Sequence, residues 1–262
     1  DVVLGKLDFT QNSFGKTTAT DLEIGGGILV DTTTTPNRVY VVDTNHSRIL
    51  GFADTNIYLG RVPDVLIGQP SFDRGAANLD GTAQRYPELI APTSATLALM
   101  NPIQISTEET VVMVQLAVDE DHALYVCDVF NDRVLKYEDP FATDSVADEV
   151  WGQPDFNSRE ANNGGRSASS LDFRYAPVCA GATIGPDGSL WVADSMNDRV
   201  LRFLKDPGSG VIAKTADLVL GQSDFTSGAP GSGMDELTNP AGLAVSSAGT
   251  VYVTDMHFGV ST

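Results

Sequence analysis

One phrase occurs three times with almost no change: VYVVDTNHSRILGF at 39–52, LYVCDVFNDRVLKY at 124–137 and LWVADSMNDRVLRF at 190–203. A chain that repeats a phrase encodes one structural unit several times, and such units stack because none can bury its own apolar faces alone. In each copy the apolar residues ahead of the Asp fall on both faces of an extended segment, as with Leu190, Trp191, Val192 and Ala193. That strand must be covered from both sides. The segments at 48–52, 133–137 and 199–203 align without a gap and alternate more, and the links TNHS, VFND and SMND have hairpin-loop composition.

A second phrase precedes each hairpin: DVVLGKLDF from Asp1, DVLIGQPSF from Asp64, DEVWGQPDF from Asp148 and DLVLGQSDF from Asp217. A short β-prone run halted by Gly reads as a further strand that ends at a bend. One more strand comes just before the hairpin, in VQLAVDED at 114–121, GATIGP at 181–186 and GLAVSS at 242–247. Each repeat is thus four short strands. From Asp43 to Gly68, Asp128 to Gly152 and Asp194 to Gly221 the separation stays between 24 and 27 residues. From Gly5 to Asp43, Gly68 to Asp128, Gly152 to Asp194 and Gly221 to Asp255 it is 38, 60, 42 and 34. Insertions are therefore confined to one connection per repeat, and equivalent connections gather on one face.

Four-stranded antiparallel units with buried faces and no helical periodicity predict an all-β fold, a β-propeller whose blades pack face to face around a centre. A β-sandwich competes, but it does not require the same phrase at each turn of the chain. The expected blade units are residues 22–68, 111–152, 180–221 and 241–262, with a strand at 1–5 belonging to a neighbouring or closing blade. At the fourth unit VYVTDMHFGVST keeps Asp255 but has Phe258 and Val260 where Asn and Arg are expected. The chain opens on Asp1 without an initiator Met and stops at Thr262 inside a repeat. It is expected to be a partial propeller of about four blades, a fragment or processed segment whose partners include the remaining blades of a parent chain.

The strand ending in Asp, followed by xxN, xR and an apolar strand, resembles the NHL repeat, and the adjoining GQPDF phrase is similar to long-spaced NHL repeats of exported bacterial proteins. The resemblance covers essentially the whole chain. It implies a propeller, commonly six-bladed, and an exported or surface location, but no activity. Some NHL propellers are enzymes, among them a peptide-amidating lyase with zinc-binding histidines, and gluconolactonase-type propellers hold a calcium ion in the channel.

Composition narrows the partners. Sixteen Lys and Arg against 35 Asp and Glu give a net charge of −19, which repels nucleic acid and anionic lipid. The longest nearly apolar run, VVMVQLAV at 111–118, falls far short of the about 20 residues of a membrane span. No membrane insertion is expected. Cys127 stands where Val42, Ala193 and Thr254 stand, which predicts a small buried side chain. Spacing does not decide whether Cys127 and Cys179, the two cysteines, pair.

The sets Asp128, Asn131, Arg133 and Asp194, Asn197, Arg199, with Asp43, His46, Arg48 as a variant, admit two readings: a ring of charges lining a channel, or turn residues that hold each blade together. Their recurrence in every well-formed unit favours the second. His46, His122 and His257 occupy inequivalent positions, which argues against convergence on a metal. Calcium suits the chain better than zinc as a metal, and Asp119, Glu120 and Asp121 form the densest acidic cluster, but their place between two strands suits a solvated turn and no dominant ligand loop stands out. IGGGIL at 24–29 and GSGM at 231–234 lack the Lys-Ser/Thr of a phosphate loop, and no Gly-x-Ser-x-Gly elbow is present. No catalytic, cofactor-binding or metal-ligating residue is therefore assigned.

The apolar stretch at 86–110 is either a partner-binding element or a segment covering its own apolar residues. The expected function is a non-catalytic binding or scaffold module of an exported protein, recognising protein or carbohydrate on the face of the long connections. The alternative is a calcium- or zinc-dependent lyase or lactonase acting in the channel.

Overall fold

The two-sided apolar strands of the repeated phrase become the centres of stacked antiparallel sheets. The computed structural model describes residues 3–6, 10, 17–23, 25–78, 91–99, 113–173 and 179–256. The first sheet runs β1 (Gly25–Asp31), β2 (Arg38–Asp43), β3 (Arg48–Phe52) and β4 (Val65–Ile67) in that order. A short β5 (Met113–Val114) leads into the second sheet, β6 (Leu116–Val118), β7 (Leu124–Asp128), β8 (Arg133–Tyr137) and β9 (Glu149–Trp151). The third contains β10 (Cys179–Ile184), β11 (Leu190–Asp194), β12 (Arg199–Phe203) and β13 (Leu218–Leu220), and the fourth β14 (Pro240–Val245) with β15 (Val251–Asp255). The described residues contain no α-helix, and no helix is long and apolar enough to cross a membrane.

The registers are equivalent from unit to unit. Asp43 lies opposite Arg48, Asp128 opposite Arg133 and Asp194 opposite Arg199. The first strands β1, β6, β10 and β14 touch one another in succession, so the sheets are stacked about a shared centre as in a partial β-propeller. Two departures from four identical blades appear. The fourth sheet has two strands among the described residues, and β5 joins the third sheet by pairing parallel to β10 instead of extending β6.

Composition explains how closely these inner strands approach. Gly27 and Gly181 occupy the same blade position, and a Cβ there would sit 2.5 Å from the Val114 carbonyl oxygen and 2.1 Å from that of Ala241. Glycine lets the next inner strand come into backbone contact. The corresponding residue of the second unit is Gln115, whose amide reaches over to the fourth unit: Nε2 donates to Leu243 O at 2.7 Å and Oε1 accepts from Leu243 N at 2.9 Å. The centre between units two and four is bridged by this side chain.

Each hairpin turn is one 3₁₀ turn followed by a left-handed residue, Ser47, Asp132 or Asp198, with φ of 46°, 49° and 51°. Left-handed backbone is costly for a residue with a side chain, and here it aims that side chain at the next unit. Ser47 Oγ accepts from Leu99 N at 3.2 Å, Asp132 Oδ1 from Phe173 N at 2.7 Å and Asp198 Oδ1 from Asn239 N at 2.8 Å. The first Asp of each turn holds the connection entering its own unit, accepting from Glu23 N, Ala98 N, Asp172 N and Thr238 N at 2.9, 2.6, 2.8 and 2.7 Å in units one to four.

The arginines close the arrangement from within their own unit. Arg48, Arg133 and Arg199 are fully buried, and each donates from Nε to its own Asp at 2.7 Å. Each Nη2 donates to two carbonyls of the incoming connection, Thr18 and Asp21, Thr93 and Thr96, or Ser167 and Ser170. Nη1 donates to the carbonyl of Phe72, Phe156 or Phe225, the Phe that ends each Gly-Gln phrase. The Gln of that phrase (Gln69, Gln153, Gln222) donates to the carbonyl of the left-handed turn residue and to a carbonyl seven residues further on. The Gly before it adopts φ near +88° in all three units, and a Leu packs where its Cβ would be: Leu97 on Gly68, Leu171 on Gly152 and Leu237 on Gly221.

Two stability outcomes follow. Arg133→Lys leaves Asp128 and several buried carbonyls short of donors and lowers unfolding free energy in urea by about 3–5 kcal/mol, whereas Arg202→Lys, at the more exposed Asp217 pair, costs about 1 kcal/mol or less. Gly181→Ala drives a methyl into the Ala241 carbonyl and costs about 1–3 kcal/mol. Gly165→Ala, with open space around it, changes stability by about 0.5 kcal/mol or less.

Candidate functional site

The two ends of the stack differ in what they leave open. At the hairpin end the Asp, Asn and Arg set is buried and fully engaged, as the blade-holding reading of the sequence requires. Asn131 and Asn197 pair reciprocally with Asn78 and Asn162 of the long connections, at 2.8 to 3.0 Å and 2.7 to 3.1 Å, so the described parts of those connections are drawn into the blades. His46 replaces Asn in the first unit. It is buried, with Nδ1 2.8 Å from Asp43 Oδ2 and Nε2 3.2 Å from Glu23 Oε2. Of the apolar stretch at 86–110, residues 91–99 are described, and Leu97 and Leu99 lie buried in the main core cluster. The rest of that stretch lies outside the described residues, as does His257.

At the opposite end, the turns that follow the first strand of units one to three face one another and leave a groove. One cavity of about 500 Å³ is lined by residues including Thr33, Glu120, Ile184, Asp187, Lys205 and Asp206. A second, of about 400 Å³, shares Asp119, Lys205 and Gly210 with it and extends past Tyr125 and Lys136. Lys205 runs through both. Its methylenes lie over Gly188, where a Cβ would be 2.5 Å from Lys205 Cδ, and its ammonium is 3.7 Å from Glu120 Oε1.

The acidic residues of the groove are tied to their own turns. Asp119 Oδ1 accepts from Asp121 N at 3.0 Å and Ala123 N at 2.9 Å, and Oδ2 accepts from the Tyr125 hydroxyl at 2.9 Å. Burial and the Asp119 carboxylate together push that phenol well above its usual range. Asp187 Oδ1 accepts from Ser189 N at 3.1 Å, and Asp206 Oδ1 from Gly208 N, Ser209 N and the Ser209 hydroxyl. Those three bonds hold the Asp206 carboxyl below its ordinary value. The 119–121 cluster is therefore a hydrogen-bonded turn, and no group of three or more His, Cys, Asp or Glu capable of holding a metal is found among the described residues.

Beside the groove, Asp31 ends β1 fully buried. Its Oδ1 accepts from Thr33 N at 2.9 Å and Thr33 Oγ1 at 2.5 Å, and Thr33 Oγ1 lies 2.8 Å from His122 Nδ1. This chain links the turns of units one and two. Asp31 Oδ2 has no hydrogen-bond partner among the described residues, and His122 Nδ1 is 3.8 Å from it. His46 and His122 thus sit at opposite ends of the sheets and do not converge. Cys127 is a free, fully buried thiol facing the third unit, and burial raises its pKa well above the usual thiol range, so it is not half of a Cys127–Cys179 disulfide.

At the outer rim, a cavity of about 440 Å³ lies along β9. Lys214 stands 3.2 Å above the Trp151 ring and 2.6 Å from Glu149 Oε2, and burial lowers its pKa. Trp151 Nε1 donates to Ala213 O at 2.9 Å, so this contact is also a fastening between units two and three.

Sequence reading located the hairpin set but missed three participants. The Leu on each Gly, the left-handed turn residue that reaches the next unit, and the Ser/Thr-rich turn ahead of the Leu were all in the text, as TATDL at 18–22, TSATL at 93–97 and SASSL at 167–171. The variable connection lengths in front of and behind them concealed their periodicity.

No protein-family model matches the chain and no curated protein matches it. Among solved structures it is similar to a streptogramin B lyase at 12% identity over 93% of this chain and 50% of that one, with a TM-score of 0.43. It is also similar to the periplasmic gluconolactonase of Pseudomonas aeruginosa, at 12% identity over 78% of this chain and 40% of that one (TM-score 0.37). A third similarity is to an auxiliary nutrient binding protein of Bacteroides thetaiotaomicron, at 10% identity over 84% of this chain and 43% of that one (TM-score 0.43). The chain spans half or less of the length of each.

Proposed function

We propose that the chain is a non-catalytic binding or scaffold module of an exported protein, an NHL-type partial propeller that takes a protein or carbohydrate ligand. The observation carrying this reading is the division of labour between the two ends. The charged residues that recur in every unit are spent on joining blades, while the groove at the turn end is assembled from residues that differ in each unit: Thr33, Glu120, Ile184, Asp187, Lys205 and Asp206. Variable residues on a rigid repeated frame are the usual arrangement for recognition. The sequence pointed to the face of the long connections. The described parts of those connections carry cross-ties between blades and line part of the rim cavity with Asn163 and Ser169, and a second concave surface lies at the other end.

The groove offers carboxylates, the two lysines Lys136 and Lys205, and backbone groups, which suits the hydroxyl groups of a carbohydrate or the polar side chains of a protein loop. Its one described hydroxyl–imidazole contact, Thr33 Oγ1 with His122 Nδ1 at 2.8 Å, has the hydroxyl proton already donated to the buried Asp31 carboxylate. The test is amide shift mapping with a panel of neutral oligosaccharides and a lysine-rich peptide. Specific binding perturbs Thr33, Glu120, Asp187 and Asp206 together, and Glu120→Lys, at a side chain that is 83% exposed beside Lys205, abolishes it while leaving the melting temperature unchanged. Titration with calcium and with zinc is expected to show no site tighter than about 10 μM, the range of built protein sites. A stoichiometric tight metal accompanied by lactone or lyase turnover would replace this reading with the enzymatic one.

A further inference from the structure

The turn that follows the inner strand recurs in units two, three and four with the same bonds. Asp119 N donates to Ala123 O, Gly185 N to Ser189 O and Ser246 N to Thr250 O. The fourth residue of each turn, His122, Gly188 or Gly249, donates back to the first at 3.2, 2.9 and 2.9 Å. That fourth residue is left-handed in all three units, with φ of 68°, 77° and 82°. Glycine adopts this backbone freely, and a residue with a side chain does so at a cost. Units three and four carry the glycine that the turn calls for, but unit two carries histidine. Strain retained at one position of a repeated frame points to a use for the side chain that causes it.

The ring of His122 is oriented from unit one. Thr33 Oγ1 gives its proton to the buried Asp31 carboxylate at 2.5 Å, so toward His122 Nδ1, 2.8 Å away, the same oxygen can only accept. Nδ1 therefore carries the ring proton, and in the neutral imidazole Nε2 is left as the acceptor. Nε2 has no hydrogen-bond partner among the described residues, and the side chain is 32% exposed. The position opens on the groove. Its counterpart Gly188 lines the cavity of about 500 Å³ together with Thr33 and Glu120, and Asp121 and Ala123, on either side of His122 in the chain, line the second cavity.

We infer that His122 is a binding residue of the groove, whose Nε2 accepts a hydrogen bond from a hydroxyl of a neutral carbohydrate. The inference rests on the binding role proposed for that groove and narrows its ligand. Thr33 and Asp31 are positioning residues that act through the ring. Sugar hydroxyls both donate and accept, whereas a lysine ammonium only donates. The groove sets acceptors against its ligand in His122 Nε2, Glu120, Asp187 and Asp206, and donors in the ammonium groups of Lys136 and Lys205. A lysine-rich peptide would use the first set and be repelled by the second. A carbohydrate uses both.

The test is nuclear magnetic resonance on the full chain, first without ligand and then with it. Long-range nitrogen–proton correlation of the free protein is expected to show His122 with a protonated Nδ1 and a bare Nε2, and Thr33→Val to lose that preference. Titration with maltohexaose, cellohexaose, xylohexaose and mannohexaose is expected to yield at least one sugar that shifts Thr33, Glu120, Asp187 and Asp206 and, with them, His122 Nε2. His122→Gly installs the residue that Gly188 and Gly249 already provide, so it keeps the fold, as thermal melting checks. It is expected to weaken that sugar about three- to tenfold, the loss of one hydrogen bond to a ligand. A free ring protonated at Nε2 in place of Nδ1, a His122→Gly variant that binds the sugar as tightly as the wild type, or groove shifts with a lysine-rich peptide and with none of the sugars overturns the inference while leaving the groove a binding site. No shift at the four groove residues with sugars and peptide alike overturns the binding role as well.

Discussion

The structure depends on a buried carboxylate that accepts from the Nε of a buried guanidinium at 2.7 Å, three times over, in Asp43–Arg48, Asp128–Arg133 and Asp194–Arg199. A buried ion pair contributes little net stability, because desolvation offsets most of the attraction. Its value here is positional. The guanidinium has five donors in a fixed plane, and after one is spent on the Asp the others hold carbonyls from the connection before the hairpin and from the phrase after it. Segments far apart in the chain are thereby fixed to one point. A hydrophobic pair of the same volume would fill the space without specifying which carbonyl lies where.

That arrangement settles which surface is free to vary. The connections differ greatly in length, yet they enter each unit through the same Leu, the same amide held by the hairpin Asp, and the same neighbouring amide held by Ser47, Asp132 or Asp198 of the previous unit. Length variation is absorbed between these fixed points. The turns at the other end carry no such shared duty, and Asp119, Asp187 and Asp206 only shape the turns they belong to. Their outward surfaces can diverge without loosening the stack, and it is there that the groove forms.

The fold was legible because the hairpin phrase is contiguous: Asp128, Asn131 and Arg133 lie within six residues, as do Asp194, Asn197 and Arg199, and turn chemistry at fixed spacing survives any insertion elsewhere. The Cys127 position was legible for the same reason, since Val42 and Ala193 occupy it in the other units. What escaped the sequence depends on distances the sequence does not encode. Leu97 follows its Gly by 29 residues and Leu171 by 19, so their common place against a φ-positive glycine emerges only in three dimensions. The bridge from Gln115 to Leu243 and the parallel pairing of β5 with β10 have no counterpart among the described residues of the other units, and repetition gives no warning of them. The acidic run 119–121 was ambiguous until the Tyr125 hydroxyl and two amides were seen to occupy the Asp119 carboxylate.

The account's central claim is that hairpin side chains fix the connections to their own unit and to the one before. The most direct measurement is native-state hydrogen exchange of six amides: Ala98, Asp172 and Thr238, which donate to the hairpin Asp, and Leu99, Phe173 and Asn239, which donate across units. Lying in connections, they would ordinarily exchange early through local opening. The account predicts that they exchange as slowly as the central strands β7 and β11. Exchange of these amides at the rate of exposed loops, with the strands still protected, would contradict it.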